Sequence, residues 1–316
     1  MKMPRRDERA YATFLAHLRT LLCNTCNYLS LAEKHHMTGS NAATTTCNAT
    51  ASVNLARSSF PKRNVIDLNK TIQDIPQALE WIVAAIAPVH PFSTGLSCAN
   101  YEPVMRNYFA MSQAFPLIQA SACSELLMDT LRTGADIPIE FEITTVVGAF
   151  LTWDETGGAY VLQQGGKENL PKILNTGRQF HSNLLRADLE KIGGINVSPD
   201  YSPTTVRYLQ ELSKDLSSLD HVRRCAAMVA FELHAESMIS ALWDSISALT
   251  PVPKDDLIYF KVHVGGDDPA EKYHKQMTHQ MIEKLVPDAR LKDFLDYFAQ
   301  AYKLHTNWCE SIKRLA

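Results

Sequence analysis

From about residue 74 onward, apolar residues recur every three to four positions, the spacing that gives an α-helix one dry face and one wet face. This spacing predicts helices over about 76 to 88, 102 to 114, 115 to 133, 138 to 156, 171 to 192, 202 to 216, 218 to 247, 254 to 263, 269 to 286 and 289 to 313. Pro and Gly stand at the joints between them, and strand-type alternation is nearly absent, so the body reads as all-α. Asp268-Pro269-Ala270-Glu271 has the form of a helix start, with Asp as N-cap, Pro in the first turn and Glu at the third helical position. Gly193-Gly194 ends the long helix expected over 171 to 192.

Upstream the pattern changes. Residues 7 to 35 place Tyr11, Phe14, Leu15, Leu18, Leu21 and Leu22 at helical spacing, and the text from Met37 to Phe60 is mostly Thr, Asn, Ser and Ala. The expected organisation is an N-terminal helix and polar linker over 1–70, followed by one compact domain over 71–316. The first helix suits a partner-binding arm, a dimer contact or a lid.

Composition narrows the function classes. With 316 residues, 46% of them hydrophobic, the chain has material for one large core or two modest ones. A formal charge of −3 without any sustained Lys/Arg stripe argues against nucleic acid or an anionic membrane as main partner, so a small molecule is expected. No uninterrupted apolar run reaches bilayer length, and the opening MKMPRRDER leads into amphipathic text, which points to a cytoplasmic protein. Seven cysteines at scattered positions imply reduced thiols rather than a disulfide framework. Cys23-Asn24-Thr25-Cys26 has redox or zinc-like spacing with no second pair to complete it, and Asn48-Ala49-Thr50 is a glycosylation sequon in form only.

Carboxylates and histidines inside apolar text carry the candidate chemistry. They occur in Trp153-Asp154-Glu155-Thr156-Gly157-Gly158, in Phe180-His181-Ser182, around Glu232 in AAMVAFELHAESMISALW, and between Tyr259 and His274. A carboxylate in the middle of such a helix needs a cation or a hydrogen-bond network, because burying it alone costs several kcal/mol. Iron with oxygen chemistry suits mixed carboxylate and imidazole ligation, and helical bundles build such centres by projecting Glu and His inward. Glu271 and His274 at i and i+3 share a helical face, with Asp267 one turn earlier; Glu271 equally suits a capping role. Trp153, Tyr160, Phe180, Phe231 and Tyr273 flank these residues and suit either a pocket wall or ordinary core packing.

The order of these segments, over roughly residues 100 to 313, resembles the haem-oxygenase-like diiron oxidases and oxygenases, the iron-containing redox enzymes related in fold to thiaminase-like and pyrroloquinoline quinone synthase proteins. Tyr108-Phe109-Ala110-Met111-Ser112-Gln113-Ala114-Phe115-Pro116 looks like the family's early helix pair, which carries no ligand. The acidic pair before Gly157 places Glu155 as a ligand, His181 through Gly193 matches the next helix, and Glu232 takes the place of the bridging Glu, with Glu236 one turn on as the fallback. The last motif departs from the family's His, three residues, Asp, two residues, His: His263 and Asp267 keep the first interval, but position 270 is Ala. Glu271 and His274 keep the second interval. Gly265, Gly266 and Pro269 disfavour a continuous helix there, which favours His263, Glu271 and His274, with Asp267 as competitor or supporting partner.

The resemblance implies an all-α, haem-oxygenase-like bundle holding two Fe(II) per chain, with O2 as co-substrate and Glu155, Glu232 and His274 nearest the reacting centre. It further implies N-hydroxylation, desaturation or cleavage of an amino acid or amino-acid-derived metabolite, free or carrier-bound, in natural-product biosynthesis, and it is compatible with a homodimer. The alternatives are a metal-free thiaminase-like or quinone-forming enzyme and a non-catalytic helical interaction protein.

Overall fold

The computed structural model describes residues 75–193, 197–266 and 270–315. The N-terminal helix and linker, the Cys23–Cys26 pair, the sequon and Asp267 lie outside these residues. Residues Ile75–Ala316 form one compact unit.

Eleven α-helices run through the described residues and no strand is present among them. They are α1 (Ile75–Ile86), α2 (Tyr101–Thr133), α3 (Ile139–Glu155), α4 (Gly158–Gly165), α5 (Thr176–Gln179), α6 (His181–Ile192), α7 (Pro203–Leu216), α8 (His221–Leu249), α9 (Ile258–Val264), α10 (Glu271–Leu285) and α11 (Leu291–Ile312). The central element is α8, which packs against α3, α7, α9, α10 and α11. Its buried residues run from Val222 to Ile246 and occupy almost every face around Ala226–Phe231, which is why its text is apolar all round there. Among the described helices α8 alone is long and apolar enough to cross a membrane by length and composition, against the expectation of none; 67% of its apolar window is buried inside the protein. Phe109, Phe260, Phe294 and Phe298 are wholly enclosed, and each contributes about 1.5–3 kcal/mol through burial.

The N-terminus of α8 is tied down locally. Asp220 accepts the Val222 amide at 3.0 Å, and Arg290, in the 3₁₀ turn ahead of α11, donates to both its carboxylate oxygens at 2.9 and 2.8 Å. This joins the starts of the two helices in closest mutual contact.

Three segments differ from the sequence expectation. The helices expected over 102 to 114 and 115 to 133 form one helix, α2, with Pro116 inside it. Pro116 removes an amide donor, but it and Phe115 are buried, and that packing holds both halves on one helix. The helix expected over 171 to 192 is broken into a 3₁₀ segment (Gly166–Leu174), α5 and α6, because Phe180 takes an extended conformation (φ −66°, ψ 124°). Helix α4 arises between the helices expected over 138 to 156 and 171 to 192, where none was expected. Among the described residues, Cys98, Cys123, Cys225 and Cys309 are free thiols.

Candidate metal centre

Helix α3 ends in an acidic pair, Asp154 and Glu155, and the chain then turns through Gly157 in a left-handed conformation (φ 88°). A Cβ on Gly157 would lie 2.2 Å from the Gln179 carbonyl oxygen, and one on Gly158 would lie 2.1 Å from the Trp153 ring. The two glycines therefore let the acidic end of α3 close onto the segment that precedes His181. The extended Phe180 resets the chain so that His181 is the first residue of α6 and is fully buried.

Helix α6 also fixes the second histidine. Asp188, fully buried, accepts the amides of Ile258 at 2.9 Å and Tyr259 at 2.7 Å, and so caps α9. Burial pushes its carboxyl up, while those two amides and Lys191 pull against that. His263, near the end of α9, is aimed by the same helix: its Nδ1 lies 2.8 Å from the Tyr259 carbonyl, which accepts the ring proton and leaves Nε2 as the lone-pair nitrogen.

These elements meet around Glu155. Its Oε2 lies 3.6 Å from His181 Nδ1 and its Oε1 3.6 Å from His263 Nε2, with the two imidazoles edge to face at 4.7 Å between centroids. Both separations exceed a hydrogen bond. Two donors bound to one ion at about 2.1 Å and a tetrahedral angle stand about 3.4 Å apart, which is close to what is found. Neither ring nitrogen of His181 has a hydrogen-bond partner, although both are buried. Burial raises the Glu155 carboxyl, but attraction to His181 and His263 outweighs it and holds the group well below the usual carboxylate range.

A second lobe adjoins the first. His274 on α10 places Nδ1 3.1 Å from Glu232 Oε2 on α8, and Nε2 2.9 Å from Asp154 Oδ2 on α3. The contact to Asp154 is within ion-pair reach but lacks hydrogen-bond alignment, and both Asp154 oxygens are buried without a hydrogen-bond partner. Glu155, Glu232, His263 and His274 all line one cavity of about 390 Å³, and Asp154 stands behind the His274 ring. His274 Nδ1 and Glu232 would hold an ion with the Nε2 proton toward Asp154, a carboxylate placed to fix the tautomer. The donor set of both lobes, carboxylate oxygen and imidazole nitrogen only, fits iron.

The remaining wall is apolar. Phe115 and Phe231 stack at 3.8 Å, Met111, Met238 and Ile239 continue it, and Tyr108 and Tyr259 share a 2.7 Å hydroxyl hydrogen bond. At the rim Lys275 pairs with Glu236 at 2.7 Å, with Lys272 close by in the lining.

Glu155, His181 and His263 thus stand together in one lobe, and Glu232 and His274 in the next. Glu236, the fallback, stands one helical turn on from Glu232 at the rim of the cavity, where its side chain is 54% exposed and engaged by Lys275. Glu271 opens α10, but its side chain, like Asp267 as a whole, is outside what is described. Of the five flanking aromatics, Phe231 alone is in the cavity lining; Tyr273 is 44% exposed and Trp153 packs beneath Gly158. Asp154 and Asp188 were not singled out. Asp154 was legible in principle, since neighbouring residues at a helix end point about 100° apart and can serve two sites. Asp188 carried no local signal, because its partners are amides 70 and 71 residues away.

No family model and no curated relative matches the chain. Among solved structures it is similar to a CADD-like protein of unknown function from Nostoc punctiforme PCC 73102, at 16% identity and a TM-score of 0.54, over 78% of this chain and 96% of that one. The likeness shows the fold, an all-α, haem-oxygenase-like helical bundle. Within it, Glu155, half-buried, and the buried His181 and His263 form a group that could hold a metal ion.

Proposed function

We propose that the chain is a non-haem diiron oxygenase or oxidase of the haem-oxygenase-like type, oxidising an amino acid or an amino-acid-derived metabolite with O2. The observation that carries this reading is Glu155 between two buried imidazoles at 3.6 Å each, one of them with no hydrogen-bond partner on either nitrogen. His181 is fully buried and no protein atom satisfies either of its nitrogens, so a cation shared with Glu155 is the economical partner.

When bound, a ferrous pair supplies the redox chemistry that reduces dioxygen. The chain's own residues set the conditions. Glu155 and Glu232 bring negative charge that offsets that of the cations, while His181, His263 and His274 are neutral donors when ligating. The Tyr259 carbonyl holds the proton on His263 Nδ1, so that Nε2 stays directed at the centre. The stacked Phe115 and Phe231 wall keeps water from the reacting atoms. At the rim, Lys272 offers positive charge to a carboxylate, and the Lys275–Glu236 pair would have to open to bind the charged ends of an amino-acid head group.

The test is anaerobic loading with ferrous iron, followed by oxygen. Two equivalents per chain, oxygen uptake and a transient visible band are expected, with Glu155→Ala and Glu232→Ala losing the band while remaining helical. Oxygen-independent turnover by chelator-treated protein would overturn the proposal in favour of the metal-free alternative.

A further inference from the structure

A second cluster of ligating side chains lies on another part of α8 and shares none of the carboxylate centre's donors. His234 and Met238 stand one turn apart on α8, and His305 and Cys309 one turn apart on α11, the helix in closest contact with it. His90, just before the 3₁₀ turn Pro91–Ser93, completes the group from outside. His90 Nε2 is 3.2 Å from His234 Nε2, Cys309 Sγ is 4.0 Å from His234 Nε2, and Met238 Sδ is 3.8 Å from Cys309 Sγ. His90, His234 and Cys309 are all buried, and one donor atom from each lies within 4.8 Å of the others. An ion bonded at about 2.0 Å to nitrogen and about 2.3 Å to sulfur sets such atoms about 3.3–3.8 Å apart, so small adjustments close the set around it.

We propose that His90, His234 and Cys309, with Met238 as a fourth, weaker donor, form a binding site for a soft monovalent metal ion, cuprous copper. Charge decides for the monovalent ion. Two neutral imidazoles, one thiolate and Cu(I) sum to zero, whereas a divalent ion leaves a net positive charge in a dry interior. Thiolate and thioether sulfur select the same ion by softness. Burial keeps the imidazoles of His90 and His234 in the neutral, ligating form, and it also pushes the Cys309 thiol up, so that the thiol keeps its proton until the metal displaces it. Binding exchanges one proton for the metal: the Cys309 S–H bond breaks, an S–Cu bond forms, and the proton leaves to solvent with no change of oxidation state.

Two existing contacts must yield. His90 Nδ1 now accepts the Phe92 amide at 3.1 Å, so the ring proton sits on Nε2, directed at His234. Ligation through Nε2 moves that proton to Nδ1 and gives up both the N–H···N bond to His234 and the one from the Phe92 amide, in exchange for a coordination bond. His90 is the most exposed of the set, at 8%, which makes it the side from which an ion enters. His305 stacks on the His234 ring at 5.2 Å and has a buried Nε2 without a hydrogen-bond partner, a further imidazole beside the site. The proposal does not depend on iron at the carboxylate centre, whose donors are oxygen and nitrogen.

The experiment uses the full chain with Cys23, Cys26, Cys47, Cys98 and Cys123 changed to Ser, which removes competing thiols and leaves Cys225 and Cys309. Anaerobic Cu(I) is titrated against a chromogenic cuprous chelator, and the copper X-ray absorption fine structure of the product is recorded. One tightly held equivalent is expected, with sulfur and imidazole nitrogen in the same coordination shell, and Cys309→Ser and His90→Gln should each weaken it at least about tenfold. Failure to hold an equivalent, unchanged affinity in Cys309→Ser, or a shell without both donor types would overturn the site. Should Cys309→Ser lose its helical circular dichroism, the shell of the parent protein decides alone.

Discussion

Gly157→Ala probes the joint on which the candidate centre is built. A Cβ there would sit 2.2 Å from the Gln179 carbonyl oxygen and 2.7 Å from the carbonyl carbon, in a backbone with φ of +88°. Carbon and oxygen settle at about 3.3 Å, so the end of α3 and the segment leading to His181 must separate by about 1 Å. The left-handed conformation costs an L-residue about 1–2 kcal/mol on its own, and with imperfect relief of the overlap the total comes to about 2–4 kcal/mol. For a domain of this size that lowers Tm by roughly 4–15 °C. A shift of about 1 Å also exceeds the roughly 0.5 Å tolerance of a working site, so iron should be lost before the fold is. Differential scanning calorimetry and ferrous-iron titration read the two effects separately. Gly177→Ala is the control: nothing lies within 4 Å of its Cβ, and both readouts should stay within error of the parent. If Gly157→Ala melts and binds iron like Gly177→Ala, the close approach does not hold the ligands and the reasoning fails.

Three further outcomes are expected. Asp188→Asn loses one of two accepted amides at a fully buried position; it should cost about 1–3 kcal/mol in urea unfolding and weaken iron about 10–100-fold by freeing the helix that aims His263. Unchanged iron affinity with lowered stability would limit Asp188 to the fold. Asp154→Asn should reduce the iron bound at the Glu232 and His274 lobe while sparing the first equivalent, as read by metal analysis after gel filtration; two full equivalents would remove Asp154 from the centre. Asp220→Ala should cost about 1–2 kcal/mol at neutral pH through loss of the cap and of the Arg290 pair, a figure discounted because solvent screens the pair. Arg290 holds the Asp220 carboxyl down to about 2 against an unfolded value of about 3.9, so this stability is present above about pH 4 and disappears as pH falls toward 2. Parent and variant should therefore converge in acid, and a gap that persists at about pH 2 would contradict the pairing.

The helical body was legible because its apolar period is regular, as α7 and α11 illustrate. The errors fall where tertiary contacts override local signals. Pro116 reads as a break until the burial of its neighbours is known, and Phe180 carries no mark of the extended conformation that starts α6 at His181. At the site, Glu155, His181, Glu232, His263 and His274 were legible as polar residues out of place in apolar text. Glu236 was not separable from Glu232 by spacing, because one helical turn decides between the cavity and its rim. Asp188 was invisible because its role consists of bonds to distant backbone amides, and the His234, Cys309 and Met238 cluster because its members look like ordinary core residues one at a time.

The arrangement around Glu155 is tested most directly by crystals of the protein loaded anaerobically with ferrous iron, with anomalous differences measured at the iron edge. Two peaks are expected in one cavity, the first bonded to Glu155, His181 and His263 and the second to Glu232 and His274 Nδ1. An empty first position in a fully loaded crystal, with iron bound elsewhere, would contradict the account.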